Sequence, residues 1–420
     1  AQAIWRKHVS AEFTPRLRSH LRCSMTEAQA AGGSDEDSSG DEDSSGDEPL
    51  PPPASWPPQC ERFPSSSVCG CTVPCRRRLR RFGAEGVPLE LQPLTERAVA
   101  AAGTSLQVSR SRRLANGPRT RLITWNVLFD PAGAGRRWHA LLAEVAAAAP
   151  DVVCFQEAVP CFARLVLGQA WAAHYHTSDD GHGRSVAPDG ELVLVARWLA
   201  GGPSQGDGPT FSHHQLPSDQ DRQLVLCELR PGVAVATAHF ESLGGKSAMR
   251  AEQLALAQRL LNPYTRAVLL GDFNCVDDQD DSSLDGLARR GWVDAWPAAC
   301  VREGAGKAGL TYNPKRNALA AAKLGATDDD GLSTGGGRLD RVLLRGALGQ
   351  GATVRRAWLL GTEPIDIPAA LKSAAYAPAP AVLAEAEGAL AADDPAGLWP
   401  SDHFGVGVDL ALDLCHLEGC

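Results

Sequence analysis

AVLLGDFNCVDD, residues 267–278, opens as an apolar run and stops abruptly at Gly271-Asp272-Phe273-Asn274. A short apolar run without alternation reads as a strand buried on both faces. Such a strand commonly closes in an Asx-type turn, which by itself would account for Asp272 and Asn274. The question is whether other strands end in groups able to meet them, and several do. LITWNVLF (122–129) carries Asn126, DVVCFQE (151–157) ends in Gln156-Glu157, and VAVATAHF (233–240) ends in His239, with Glu241 and Ser242 beyond. RLDRVLLR (338–345) holds Asp340, and Ser401-Asp402-His403 opens the last strand, DHFGVGVDLAL (402–412). Each has an ordinary explanation alone: Glu157 could cap a helix, Asp340 could pair with Arg338 or Arg341, and a single His239 is most often a satisfied core histidine. Six polar ends on apolar strands would make six coincidences, so convergence is the better reading.

Between these strands the pattern is helical. RRWHALLAEVAAAA (136–149) is an amphipathic helix ended by Pro150, a helix is predicted near 160–171, and KSAMRAEQLALAQRLLN (246–262) carries Met249, Leu256 and Leu260 on one stripe. A short helix is predicted near 283–290, and ELVLVAR (191–197) and TVRRAWLL (353–360) are further strands. QLVLCELR (223–230) joins VAVATAHF through a Pro231-Gly232 turn. Antiparallel neighbours alternating with helices favour an α/β fold with two mixed β-sheets flanked by helices over a pure parallel sheet.

The flanks differ in composition. GSDEDSSGDEDSSGDEPLPPP (33–53) is acidic, low-complexity and proline-ended, and is expected to be disordered. Cys60, Cys69, Cys71 and Cys75 follow with spacing C-x8-C-x-C-x3-C. Four thiolates can hold zinc, but this is not a common finger or ribbon spacing, and unremarkable cysteines are the favoured reading. CRRRLRRFG (75–83) is compatible with a nuclear address or a phosphate-binding patch, though most charge runs are simply solvated. ATDDDGLSTGGG (326–337) reads as a flexible loop, and the Ala-rich 369–397 as a surface helix and loop.

Bulk properties exclude some classes. The 420 residues contain no run of eighteen apolar positions, so no membrane span is expected, and the first twenty residues carry no apolar core of a secretory signal. Cys154, Cys227 and Cys275 lie inside apolar runs, as reduced core thiols would, which points to a reducing, intracellular compartment. The formal net charge of −9 hides an asymmetry: residues 1–121 hold 17 basic and 14 acidic residues, whereas 122–420 hold 24 and 36, a balance of −12. The main domain thus lacks the basic footprint of strong duplex binding, and any nucleic acid must be gripped locally or with the help of metal.

Carboxylates with an amide oxygen form a hard-oxygen site suited to Mg²⁺. A second carboxylate to orient water and a histidine backed by an acid complete the requirements of phosphate-ester hydrolysis. Zinc hydrolysis would call for two or three His or Cys ligands, and the chain has no H-E-x-x-H.

On TWN (124–126), QE (156–157), GDFN (271–274), RLD (338–340) and SDH (401–403), in that order, the chain resembles the endonuclease/exonuclease/phosphatase superfamily. The resemblance covers roughly 119–413 and implies a four-layered α/β sandwich, with 1–118 as a largely disordered N-terminal region and 414–420 as a tail. It implies that Glu157, Asn126 and Asp402 hold the metal, Mg²⁺ or Mn²⁺ in its place, and that Asp272 orients the attacking water. Asn274 and His239 would face the phosphate, and His403, backed by Asp340, would stabilise the phosphoryl group. Trp125, Ser242, Lys246 and Phe404 are the expected substrate contacts. Within the superfamily, TAHFESLGGKSAMRAEQL (237–254), LTYNPKRN (310–317), LLGTEPI (359–365) and PSDHFGV (400–406) are similar to the tyrosyl-DNA phosphodiesterase 2 group. That group cleaves tyrosine from DNA 5′ ends left by stalled topoisomerase. The chain departs from it at Leu243-Gly244-Gly245, where Thr-Arg-Gly is frequent, and at Phe273 and Phe404. The expectation is a monomeric, nuclear enzyme of DNA repair. The rivals are another nuclease on RNA or DNA, a lipid or inositol phosphatase of the same fold, and a non-catalytic scaffold.

Overall fold

The computed structural model describes residues 60–64, 96–115, 120–130, 133–199, 208–275, 278–303, 308–324, 336–349, 353–365, 398–411 and 414. The acidic run 33–53, Cys69, Cys71 and Cys75, the arginine run, the stretch 326–335 and the Ala-rich 369–397 lie outside the described residues.

Two mixed sheets dominate. One has seven strands, ordered β1 (Cys60–Pro64), β6 (Thr210–Gln215), β7 (Gln223–Arg230), β8 (Val233–His239), β9 (Arg266–Asp272), β11 (Asp340–Gly346) and β10 (Trp292–Asp294). The other has six, ordered β12 (Val354–Leu360), β13 (Gly405–Leu410), β2 (Thr120–Asn126), β3 (Val152–Ala158), β5 (Gly190–Ala196) and β4 (Tyr175–Thr177). Each sheet contains one parallel pair, β2 with β3 and β8 with β9, and its other pairs are antiparallel. The hairpin β7–β8 turns at Gly232, whose φ of 81° suits glycine.

Side chains alternate faces along a strand, and that alternation sorts the core into three layers. Leu122, Cys154, Val193, Val235, Val268, Leu270 and Val342 meet between the two sheets. Ile123, Trp125, Val153, Phe155 and Leu194 face outward from the six-stranded sheet onto helices α2 (Ala134–Ala148) and α3 (Pro160–Leu167). Ala234, Ala236, Ala267 and Leu269 face outward from the seven-stranded sheet onto α4 (Ser247–Leu261). The result is helix, sheet, sheet, helix, the four-layered sandwich that the motifs imply. Among the described residues no helix is long and apolar enough to cross a membrane.

Three local expectations are corrected. The buried face of α4 is not Met249-Leu256-Leu260, which is half-buried, but Arg250, Gln253, Leu254, Ala257 and Leu261. Polar members of that face are tolerated because they are paired: Arg250 bonds Asp280 through two nitrogens, each at 2.7 Å, and Gln253 accepts the Glu241 N–H at 2.8 Å. The last strand starts at Gly405 rather than 402, because Asp402-His403 turns into the mouth between the sheets. Helix α1 (Glu96–Ala115), ahead of the 119 boundary, packs on the sandwich. The His174 Nε2 lies 3.0 Å from the Val99 carbonyl, and Arg110 sits 5.5 Å over the Trp198 ring.

Candidate active site

The parity that fills the inner core also aims the polar ends. Asn126 continues the face of Leu122, His239 that of Val235, Asp272 that of Val268 and Leu270, and Asp340 that of Val342. All four therefore point between the sheets, at the end where the parallel strands finish and their antiparallel partners begin. The registers place Asn126 beside Gln156, His239 beside Asp272, and Asp272 beside Asp340. A polar belt separates them from the apolar core. Gln156 accepts from the Thr124 hydroxyl at 3.1 Å and donates to the Thr237 hydroxyl at 2.9 Å, so it links the two sheets.

Glu157 reaches the mouth through a distortion. One extra residue between Phe155 and Ala158, against β5, makes a bulge, and Glu157 takes a φ of 56°. Bulges re-aim a side chain, and a non-glycine residue in the left-handed region is held there by its surroundings. Asn274 is likewise left-handed, at 49°. Gly271 has a φ of 141°, and a Cβ there would stand 2.1 Å from the Ala238 carbonyl oxygen, so only glycine lets β9 approach β8 at this point.

Asn126 is the hub of the hydrogen bonds. Its Nδ2 donates to Glu157 Oε1 and to Asp272 Oδ2, both at 3.0 Å, while its Oδ1 accepts the Leu128 N–H at 3.0 Å. Glu157 Oε2 accepts the Phe129 N–H at 3.1 Å. His403 Nδ1 lies 2.8 Å from Asp340 Oδ2, and its Nε2 faces Asp272 Oδ2 at 3.8 Å. His239 Nδ1 accepts from Arg222 at 2.8 Å, which leaves Nε2 to carry the proton 3.4 Å from Asp272 Oδ2. Asn274 donates from its side chain to the Phe240 carbonyl at 3.0 Å and from its backbone to Asp272 Oδ1 at 3.1 Å.

The electrostatics divide the two histidines. Burial alone would lower His403, but the carboxylates of Asp340, Asp272 and Asp402 outweigh it and hold the imidazole well above its ordinary range, as a cation. His239 goes well below that range, through burial first and then the Arg222 and His403 charges. Glu157 is pushed up to about 7 by burial and by the neighbouring Asp402 carboxylate. Asp272 rises with burial and the proximity of Asp340. Buried acids crowded in this way are short of positive charge, and the carboxylate oxygens of Glu157 and Asp402 fit a hard divalent cation, with Asn126 beside them turning its Nδ2 to the acids and its Oδ1 to the Leu128 N–H. Ligand atoms of Asp272, Asp340 and His403 also lie within 4.8 Å of one another. That grouping reflects the hydrogen bond inside the His403–Asp340 pair, and a protonated imidazole has no lone pair for a metal.

Not every predicted contact reaches the mouth. Trp125 is fully buried on the outer face, where its Nε1 donates to the His403 carbonyl at 3.0 Å; it holds the histidine's backbone and offers no surface to a substrate. Phe404 is also fully buried, beside Trp399. Ser242 is half-buried at the rim and donates to Gln220 at 2.9 Å. Lys246 is paired with Asp219 at 2.7 Å on the surface. The Asp402 charge is felt by Glu157, and Ser401 bonds the Asn126 carbonyl at 2.7 Å, which ties the last strand's entrance to β2.

Three buried residues at the mouth escaped the sequence reading. Glu191 accepts the His239 N–H at 3.1 Å and is pushed up to about 8 by burial; its parity with Val193 was the available signal. Arg222 sits in a polar loop ahead of β7, with no local pattern to mark it. Arg137 is fully buried behind the acids, donating to the carbonyls of Val127, Leu128, Asp130 and Pro400. Burial lowers it to about 10, yet it remains charged at neutral pH. It looked like one more basic residue on an amphipathic helix.

The family model described as the Endonuclease/Exonuclease/phosphatase family matches residues 123–403. No curated protein matches the chain. Among solved structures it is similar to a D. rerio TDP2 complexed with single strand DNA product, at 20% identity over 69% of this chain and 98% of that one, with a TM-score of 0.48. Truncated Caenorhabditis elegans TDP2 gives 18% identity over 69% and 97%, with a TM-score of 0.44. The 3′ phosphatase NExo from Neisseria, bound to product DNA hairpin, gives 16% identity over 69% and 99%, with a TM-score of 0.40.

Proposed function

The chain belongs to the endonuclease/exonuclease/phosphatase family, and from that premise we propose that it is a Mg²⁺-dependent phosphodiesterase acting at nucleic-acid ends, of the 5′-tyrosyl-DNA type that repairs topoisomerase adducts. The observation that carries this reading is the junction at Asn126, where one amide holds Glu157 and Asp272 together within reach of two histidines, one neutral and one cationic. The similarity of residues 237–254, 310–317 and 400–406 to the tyrosyl-DNA phosphodiesterase 2 group supports the choice of substrate.

Glu157 and Asp402, with Asn126 beside them, are the residues that would hold the cation. When bound, it would offset charge on the phosphoryl oxygens and on the leaving oxygen. Asp272 orients the attacking water, its Oδ1 anchored by the Asn274 N–H and its Oδ2 by Asn126. The His403 imidazolium, fixed by Asp340, donates Nε2–H to a phosphoryl oxygen, where the negative charge grows. His239 keeps its proton on Nε2 because Arg222 occupies Nδ1, and it presents that proton as a second, neutral donor. We place the enzyme in the nucleus, as a monomer.

The test compares a 5′-tyrosyl oligonucleotide with an unmodified one and with oligo(A), each with Mg²⁺ and in EDTA. Selective, metal-dependent release of tyrosine is expected, and Glu157→Ala should lose at least about two to three decades in rate. Cleavage of oligo(A) alone would replace this reading with a ribonuclease. The balance of −12 over 122–420 keeps a small anionic substrate as the second reading, and an inositol phosphate belongs in the same assay.

A further inference from the structure

Beside the catalytic mouth, a cleft of about 620 Å³ opens where the β12 edge meets α5 (Ala295–Glu303) and the loop 308–316. Its lining includes two indoles, Trp296 and Trp358, with Phe404 as part of the floor and Arg316, Arg356 and Asn313 as polar groups. Both arginines lie on aromatic faces: the guanidinium carbon of Arg356 is 5.2 Å from the Trp358 centroid, and that of Arg316 is 5.8 Å from the Phe404 centroid. A guanidinium stacked in this way keeps its N–H edge free for an in-plane acceptor, the geometry that grips phosphate with two parallel bonds. Arg316 meets Glu363 at 2.7 Å, but both are well exposed, and a pair of that kind contributes little and exchanges readily. Among the described residues Arg356 makes no ion pair.

The cleft adjoins the active site. Phe404 directly follows His403, and Asn313 follows Tyr312, whose ring meets the His403 imidazole edge-on at 5.2 Å. A strand whose reacting phosphate lies before His403 therefore has a cationic, aromatic recess close by, in a domain that is otherwise short of positive charge. Ligand pockets run from about 300 to 1,000 Å³, so the volume accommodates a nucleotide with room to spare. The indoles back the cleft, Trp296 being buried and Trp358 already covered by Arg121 and Arg356, and the arginine edges are what take a phosphate.

We infer that this cleft grips a backbone phosphate of the single strand whose end is processed at the catalytic mouth. The inference rests on the nucleic-acid reading above. The Arg356–Trp358 stack lies outside the machinery assigned to the reaction.

The exposed Arg356 provides the test, since Arg356→Glu reverses a charge on the surface without touching the core. Affinity for a fluorescein-labelled oligo(dT) of about ten nucleotides is read by anisotropy in EDTA across a salt series, with dTMP as competitor. Turnover of the p-nitrophenyl ester of thymidine 5′-phosphate is read in Mg²⁺. Arg356→Glu should weaken oligonucleotide binding at least tenfold and lower the salt slope by about one, with ester turnover unchanged. Arg356→Lys, which keeps charge but loses the fork, should fall between the two. If Arg356→Glu binds the oligonucleotide as the parent does while ester turnover persists, the cleft is not on the strand path, although the enzymatic reading stands. If no ester or oligonucleotide is turned over by the parent but Arg356→Glu still loses affinity, the cleft stands and the enzymatic reading falls. If dTMP alone binds as tightly as the oligonucleotide and displaces it, the occupant is a free nucleotide and the strand assignment is wrong.

Discussion

Asn126→Asp is the sharpest single perturbation of the site, because it is isosteric and inverts what the side chain offers. The native amide donates two hydrogen bonds of 3.0 Å to carboxylate oxygens of Glu157 and Asp272, while Oδ1 receives the Leu128 N–H. The substitution keeps the acceptor and replaces the donor by an oxygen lodged between two acids. Bonds to charged acceptors contribute about 1.5–3 kcal/mol each, so the two together give about 3–6 kcal/mol. Proton uptake limits the loss: Glu157 already sits at about 7, and one bound proton relieves much of the repulsion near neutrality. A loss of about 3–4 kcal/mol at pH 8 in EDTA follows, narrowing as pH falls toward 6. Adding a divalent cation at about a hundred times its Kd should restore about 2.7 kcal/mol. The assay is urea unfolding, with and without cation, beside Asn126→Ala, which removes the donor without adding charge. Equal urea midpoints for Asn126→Asp and the parent in EDTA would refute the geometry. Equal rescue of Asn126→Ala and Asn126→Asp at one fixed cation concentration would refute the metal assignment.

Three further outcomes follow from other contacts. Asp340→Asn removes the charge that holds His403 at 2.8 Å, and single-turnover cleavage should slow about 10²–10³-fold; an unchanged rate would remove His403 from the phosphoryl contact. Asp280→Ala strands the fully buried Arg250 guanidinium and should cost about 3–5 kcal/mol in urea unfolding, whereas a midpoint shift of less than a fifth of that would mean the arginine is solvated after all. His176, lowered by burial and by Arg197 to about 4 from 6.5, is refused a proton that the unfolded chain accepts. Stability is therefore lost as pH falls from about 6.5 toward 4. His176→Phe should flatten that acid limb in a series of melting temperatures, and an unaltered slope would show the acid sensitivity to come from elsewhere.

The order of elements and their chemistry were legible in the chain itself. Apolar period, proline and glycine stops, and polar residues at strand ends are local properties, so Asn126, Glu157, Asp272, Asp340 and His403 could be picked out without coordinates. Short or half-polar pieces were not legible, because the three-residue β4 and β10 and the histidine-bearing β6 hold their conformation by pairing with neighbours. The buried stripe of α4 was misplaced for a related reason: Arg250 and Gln253 face inward because Asp280 and Glu241, both outside the helix, wait to pair with them.

Which side of a strand a residue faces follows from counting by twos, but what stands opposite does not. Trp125 shares a motif with Asn126, yet one step of the pleat sends it to the outer core and leaves the amide in the mouth. Arg137, Glu191 and Arg222 gain their roles only once the chain closes, since a buried charge is tolerable only where carbonyls, an imidazole or other charges come from remote segments to meet it. The sequence thus determined which groups the protein owns and in what order. The packing of two sheets decided which of them share one low-dielectric space, and so which proton or charge each carries.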